Sequence, residues 1–269
     1  MKRASDVPPF DKLRAGLSMV EAPQAASPGV ARMPWSLVAA WRAARHATRL
    51  CATAVLVAAV LPGCIRTGLL PSYGDEDSKW SDVPPGTALA WNFDADAPGG
   101  AASGFAPFYG AWIILGDDTA PSRPNVYAQT SKAYEFPGAI VSTKAFADFD
   151  ASVKCKMHTG LVDATAGLIF RFQNPKAYYV VQASVLEGNF RLYRYVDGVR
   201  QPVAGAETKL HKDQWYTIKV ECRGENIRCT LDDALVIECT DKKYLKGKIG
   251  LWSKADSITY FDNLEVMAR

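Results

Sequence analysis

Short runs of alternating apolar and polar residues, separated by turn residues, constrain this chain more than any other feature. Ala151–Met157 (ASVKCKM) sets Val153, Cys155 and Met157 against Ser152, Lys154 and Lys156. Gly167–Gln173 (GLIFRFQ) sets Leu168, Phe170 and Phe172 against Ile169, Arg171 and Gln173. A period of two belongs to a strand with one buried face. Tyr178–Val185, Asn189–Val196, Tyr216–Cys222, Ile227–Leu231, Leu235–Cys239, Lys248–Trp252 and Ser257–Val266 continue the pattern. Turn residues punctuate it at Glu187-Gly188, Asp197-Gly198 and Gly224-Glu225-Asn226. Asp-Gly is a hairpin signal because both residues tolerate the positive φ of a tight turn. No window of similar length has a helical period. The expected class is therefore all-β, an antiparallel β-sandwich or jelly roll over residues 89–269. That length can bury a real core.

The N-terminal part reads as an address. Arg42, Arg45 and Arg49 precede Leu50–Leu61 (LCATAVLVAAVL), an apolar run of 12 residues, and then Leu61-Pro62-Gly63-Cys64. Positive charge, a short apolar core and small residues make a secretory signal. The run is short for about 30 Å of hydrocarbon. Leu61–Cys64 resembles a bacterial lipobox, which implies acylation of Cys64 and a membrane-anchored, exported lipoprotein in the periplasm, outer membrane or cell surface. Residues 1–32 do not fit a signal, so Met33 is a second candidate start. The expected division is 1–63 targeting or spurious segment, 64–88 linker and 89–269 folded domain. The linker assignment rests on Pro71, Gly74, Pro84, Pro85 and Gly86 without apolar periodicity.

Charge excludes one class of partner. The net charge of +3 comes from residues 1–63, which hold 8 of the 31 basic and 3 of the 28 acidic residues. The 23 basic and 25 acidic residues that remain give no basic footprint for nucleic acid. Cys155, Cys222, Cys229 and Cys239 fall in alternating runs, with no CxxC and no His at zinc spacing. Cys222 and Cys229 flank a turn. A disulfide between them and four small core thiols are two open readings.

The run from about Trp112 to Val266 resembles a bacterial family of concanavalin A-like domains. The family is labelled DUF1080, or 3-keto-disaccharide hydrolase-like, and at times family 16 glycoside hydrolase-like. Asp163–Phe172 (DATAGLIFRF), Tyr178–Val181 (YYVV), Asn189–Arg194 (NFRLYR), Trp215-Tyr216 and Gly250–Val266 (GLWSKADSITYFDNLEV) carry the likeness. It implies two antiparallel sheets and a saccharide bound across a concave face. If Leu168, Phe170 and Phe172 point inward, parity turns Arg171 and Gln173 outward. Tyr178, Gln182, Arg191 and Tyr193 join them, with Trp252, Lys254 and Asp256 near another strand end. These nine residues are the expected ligand-binding set, rich in the rings and planar polar groups that suit sugars. Relatives commonly carry Arg where this chain has Gln182. The likeness also implies a candidate structural calcium at Asp262, against carbonyls of a first strand at Asn92–Asp94.

Catalysis by paired carboxyls is a separate expectation to weigh. Glycoside hydrolysis needs two carboxyls about 5–9.5 Å apart. The Glu-x-Asp-x-x-Glu run of family 16 glucanases is absent, and Glu187, Asp163 and Asp256 are the nearest candidates. No phosphate loop, HExxH or G-x-S-x-G occurs. Three function classes follow: a glycan-recognising lipoprotein, a glycoside-processing hydrolase or lyase, and a non-catalytic envelope module.

Overall fold

The structure is a computed structural model and describes residues 80–132 and 136–269. Cys64, Met33 and the signal segment lie outside the described residues. Among the described residues seventeen strands run in chain order: β1 (Ser81–Asp82), β2 (Ala88–Trp91), β3 (Phe105–Tyr109), β4 (Trp112–Gly116), β5 (Asn125–Gln129), β6 (Gly138–Val141), β7 (Lys144–Ala145), β8 (Phe149–Thr159), β9 (Thr165–Asn174), β10 (Ala177–Ser184), β11 (Asn189–Val196), β12 (Val199–Glu207), β13 (Trp215–Arg223), β14 (Asn226–Leu231), β15 (Leu235–Thr240), β16 (Lys248–Ser253) and β17 (Ile258–Ala268).

Two sheets contain nearly all of them. One has seven strands in the order β12-β11-β10-β9-β16-β6-β3. The other follows β15-β14-β13-β8-β17-β5-β4, with β2 also on β17. Every pairing within the two sheets is antiparallel, and among the described residues only the short β1–β7 pair is parallel. This is the expected all-β sandwich, a concanavalin A-like jelly roll. The stretch read as linker is joined to the sandwich from Ser81 onward, through β1 and through the Gly86 amide on the Ala268 carbonyl.

Alternation explains the core. Tyr216, Ile218, Val220 and Cys222 of β13 are buried, as are Val153, Cys155 and Met157 of β8. They meet Leu168, Phe170, Val181 and Leu192 of the seven-stranded sheet in one cluster drawn from both sheets, hence between them. Burying each such side chain stabilises the fold by about 1.5–3 kcal/mol. The Asp197-Gly198 hairpin forms as expected, with φ of 52° and 80°.

Cys222 and Cys229 take the second of their two open readings, and one expectation fails here. Cys222 and Cys229 are free thiols. Cys222 pairs in register with Ile227, and Cys229 with Val220, so the two thiols are diagonal on the inner face. Diagonal positions lie about 7–8 Å apart, beyond the usual Cα reach of a disulfide. Burial pushes the Cys222 thiol up to about 12, which keeps it protonated and inert. Asn92–Asp94 is not the first strand. β2 ends at Trp91, and Phe93 turns the chain at φ 64°.

Candidate functional site

Parity along β9 breaks at Arg171. Ile169 pairs with Gly250 but Phe172 pairs with Lys248, so three residues on β9 oppose two on β16. Arg171 sits at the bulge with φ 50°. A bulge adds one residue and reverses the faces beyond it. Ile169 and Phe172 therefore both lie on the outer face of the seven-stranded sheet, in a cluster drawn from that sheet alone: Ile140, Tyr178, Val180, Tyr193, Tyr195 and Trp252.

Arg171 and Gln173 consequently leave the expected ligand face. Arg171 is fully buried and donates to the carbonyls of Tyr244 (3.1 Å), Gly224 (2.7 Å) and Ala147 (3.3 Å). Gln173 donates to the Arg171 carbonyl at 3.0 Å and to that of Lys246. Both tie chain segments together. Asp256 also leaves the set. Its carboxylate accepts from the amides of Leu161 (2.7 Å), Val162 (3.0 Å) and Asp163 (3.0 Å). Burial works the other way, but these amides hold the carboxyl below its ordinary value.

The other six expected residues do share the outer face. Tyr178 pairs with Tyr195, Val180 with Tyr193 and Gln182 with Arg191 across β10 and β11. Trp252 on β16 pairs with Gly167, whose missing side chain leaves room for the indole. Lys254 reaches across β9 to Glu187, in the turn between β10 and β11.

The face has two halves. In the aromatic half Tyr178 stacks on Tyr195 at 4.3 Å and Phe136 stacks on Trp252 at 5.7 Å. The Arg200 guanidinium lies over Tyr193 at 4.6 Å and over Phe136 at 5.5 Å. A cleft of about 360 Å³ opens between Phe108, Tyr109, Phe136, Lys176, Tyr178 and Tyr195. Burial pushes the Tyr195 phenol up to about 12, so it is a neutral hydroxyl at physiological pH.

The polar half is an ionic network. The Lys254 ammonium binds Asp163 at 2.5 Å and Glu187. Burial lowers the Lys254 pKa, yet its hydrogen bonds to the two carboxylates outweigh this and leave it raised. Burial raises the Glu187 carboxyl, but hydrogen bonds from Lys254 and Asn189 hold it below its ordinary value.

What distinguishes this face is unmet hydrogen-bonding demand. Among the described residues seven buried side-chain polar atoms lack a partner. Five of them lie here: Gln182 Oε1 and Asn189 Oδ1, and also Tyr195 Oη, Arg200 Nη1 and Trp252 Nε1, which face one another or Tyr178 without hydrogen-bond alignment. Buried polar groups are almost always paired, and an orphan costs about 1–3 kcal/mol.

A family model for the 3-keto-alpha-glucoside-1,2-lyase-like domain matches residues 111–267. The chain belongs to that family. The match spans β4–β16 and most of β17, and contains the whole orphaned cluster. The lyase-like domain is thus a carbohydrate-related jelly roll. Among curated proteins it is similar to levanase of Bacillus subtilis (strain 168), 24% identical over 128 residues that cover 46% of this chain and 18% of the levanase. The chain therefore spans less than a fifth of that relative. Among solved structures it is similar to carbohydrate binding module CBM66 from Bacillus subtilis, at TM-score 0.53 and 20% identity, over 61% of this chain and 96% of that one. This second likeness concerns the fold.

Asn189 and Tyr195 were not among the nine expected residues, although they share the parity of Arg191 and Tyr193 on β11 and could have been added by it. Arg200 was not visible, because β12 (VRQPVAGAE) lacks apolar alternation. Phe136 precedes β6 and has no strand periodicity. Asp262 lies on the other sheet, where its carboxylate is buried and accepts from the amides of Ser122 (2.7 Å) and Asn263 (2.7 Å). Asp94 meets the same Ser122 through its hydroxyl and accepts from the Asn125 amide at 3.1 Å. Burial, with Asp94 nearby, pushes the Asp262 carboxyl up to about 6.

Proposed function

We propose that the outer face of the seven-stranded sheet binds a saccharide, and that the chain presents it outside the inner membrane. The five orphaned polar atoms beside an aromatic cleft carry this reading. From Tyr178 to Gln182 the face extends about 13 Å along β10, at about 3.3 Å per residue. Rings that take C–H contact lie at one end and amides that take hydroxyls at the other. Family membership and the CBM66 fold support a sugar in particular. Export and anchoring at Cys64 rest on the order of residues 42–64.

Titration of the full chain with a panel of oligosaccharides tests this reading. Tyr195→Phe removes a buried hydroxyl that faces Tyr178 and Arg200 without a well-aligned hydrogen bond. It is expected to leave the melting temperature unchanged or slightly higher while weakening binding about three- to tenfold, the worth of one hydrogen bond. Wild-type affinity in this variant would remove Tyr195 from the site. Binding is expected to persist from pH 8 down to about 5. It should fade only as pH drops below the ordinary Glu range near 4.5, because a carboxyl with a lowered pKa loses its contribution on the acid side.

The family name favours a second reading, in which the same face processes a 3-keto-glucoside. Glu187 is held ionised and so is a poor proton donor to a leaving group at neutral pH. Product analysis on that substrate separates the two readings, since a binding module returns it intact.

We also propose a structural calcium at Asp262. Asp94 and Asp262 are two carboxylates brought together around Ser122, and calcium would relieve their mutual repulsion. Melting in calcium against melting in chelator should differ by several degrees. Asp262→Ala should abolish the difference, and an unchanged melting temperature in wild type would exclude the ion.

A further inference from the structure

One carboxylate orients both orphaned amides. Glu187 Oε2 accepts from Gln182 Nε2 at 3.2 Å and from Asn189 Nδ2 at 3.2 Å. Turning either amide over would set a carbonyl oxygen against a carboxylate oxygen, so the nitrogens must face Glu187. Gln182 Oε1 and Asn189 Oδ1 therefore look away from it, buried and without a donor. Gln182 pairs with Arg191 and Ser184 with Asn189, which makes the two amides diagonal neighbours on one face. A single ligand residue can meet both. Lys254 is taken up by Asp163 and Glu187, and Arg191 by Glu207. Neither cation offers an unpaired charge to a ligand. Asp163, Glu187 and Lys254 together carry one negative charge, and the Arg200 guanidinium, over Tyr193 and within electrostatic reach of Glu187, offsets it, so the two bare carbonyl oxygens rather than net charge set the preference.

Resting on the saccharide reading above, we propose that Glu187 is a specificity-determining, positioning residue: it presents Gln182 Oε1 and Asn189 Oδ1 as a pair of acceptors for two hydroxyls of a neutral sugar and so excludes sugars bearing a carboxylate or sulfate there. The acceptors can take only O–H or N–H donors. An anionic substituent brings acceptors alone, so opposite these two oxygens it loses both hydrogen bonds and sets oxygen lone pairs against oxygen lone pairs.

The test is a glycan array that holds neutral oligosaccharides beside their uronate and sulfated counterparts, read with the full chain. Wild type should bind neutral members and discriminate against the matched acidic ones by at least tenfold. Glu187→Gln removes the charge and frees both amides to turn over. Affinity for the best neutral member should fall about tenfold, near 1.4 kcal/mol, while the neutral-to-acidic ratio shrinks toward one. Gln182→Leu, which keeps the shape and drops the acceptor, should cost the neutral member a similar factor with the melting temperature held. It keeps the question open to disproof if the Glu187 variant does not fold. Tyr195→Phe should weaken neutral and acidic members alike. An unchanged ratio in Glu187→Gln, or a wild type that prefers acidic members, overturns the inference and leaves saccharide binding standing. Failure of wild type to bind any member overturns both.

Discussion

Arg171→Leu is expected to lower the melting temperature by roughly 10 °C and to leave saccharide affinity nearly unchanged. The buried guanidinium satisfies three carbonyls, those of Tyr244, Gly224 and Ala147, from three separate segments. Leucine fills much of the volume but donates nothing, so those oxygens lose their only charged donor. Hydrogen bonds to a charged group contribute about 1.5–3 kcal/mol each, and partial relaxation reduces the total loss to about 3 kcal/mol. For a domain of this size that is about 6–12 °C. Arg171→Lys should recover only part of it, because an ammonium cannot reproduce the planar fork that spans three acceptors. Thermal denaturation beside a binding titration gives the answer. Lost affinity at an unchanged melting temperature would return Arg171 to the ligand face.

Gly160→Ala should damage fold and site together. Gly160 adopts φ 153°, and a methyl there would fall 1.6 Å from the Asp163 carbonyl oxygen. That contact is backbone, so no side chain can swing away. The turn must open, and two connections open with it. The Asp256 carboxylate loses the amides of Leu161, Val162 and Asp163, and Asp163 is drawn from Lys254. Loss of the turn and its amide cap is expected to cost about 2–4 kcal/mol. Lys254 then leans on Glu187 alone, and affinity should drop about tenfold, or about 1.4 kcal/mol. Melting and titration of the single variant check both. A wild-type melting temperature would mean that the 160–163 turn accommodates a side chain.

The carbohydrate reading depends on the face rather than on any one residue. Tyr178, Gln182, Arg191, Tyr193, Trp252 and Lys254 reach it because β10, β11 and β16 keep their parity from end to end. Arg171 and Gln173 fail to reach it because β9 does not. The bulge could not be read from GLIFRFQ, whose apolar residues alternate without interruption. Both parities bury an apolar ring, with Phe172 under the outer cluster instead of the inner one. Only the partner strand, with Gly250 opposite Ile169 and Lys248 opposite Phe172, decides between them. The choice between the two readings of Cys222 and Cys229 turned on a related property. Flanking a turn brings two residues to neighbouring strands, but register decides whether they are opposed or diagonal.

From the sequence alone came the all-β class, the inward faces of β8 and β13, the Asp197-Gly198 hairpin and the near balance of basic and acidic residues beyond the N-terminal segment. The first three depend on neighbours within a few residues, where a period of two or a turn dihedral is a local property of the chain. Tertiary structure alone decided that Glu187 meets Gln182 and Asn189, that Lys254 crosses β9 to reach Glu187, and that Arg200 from β12 covers Tyr193. Those contacts join side chains on different strands and turns. Their positions follow from sheet order, register and one bulge, which are set by the free energy of packing the whole sandwich and leave no mark on any single strand.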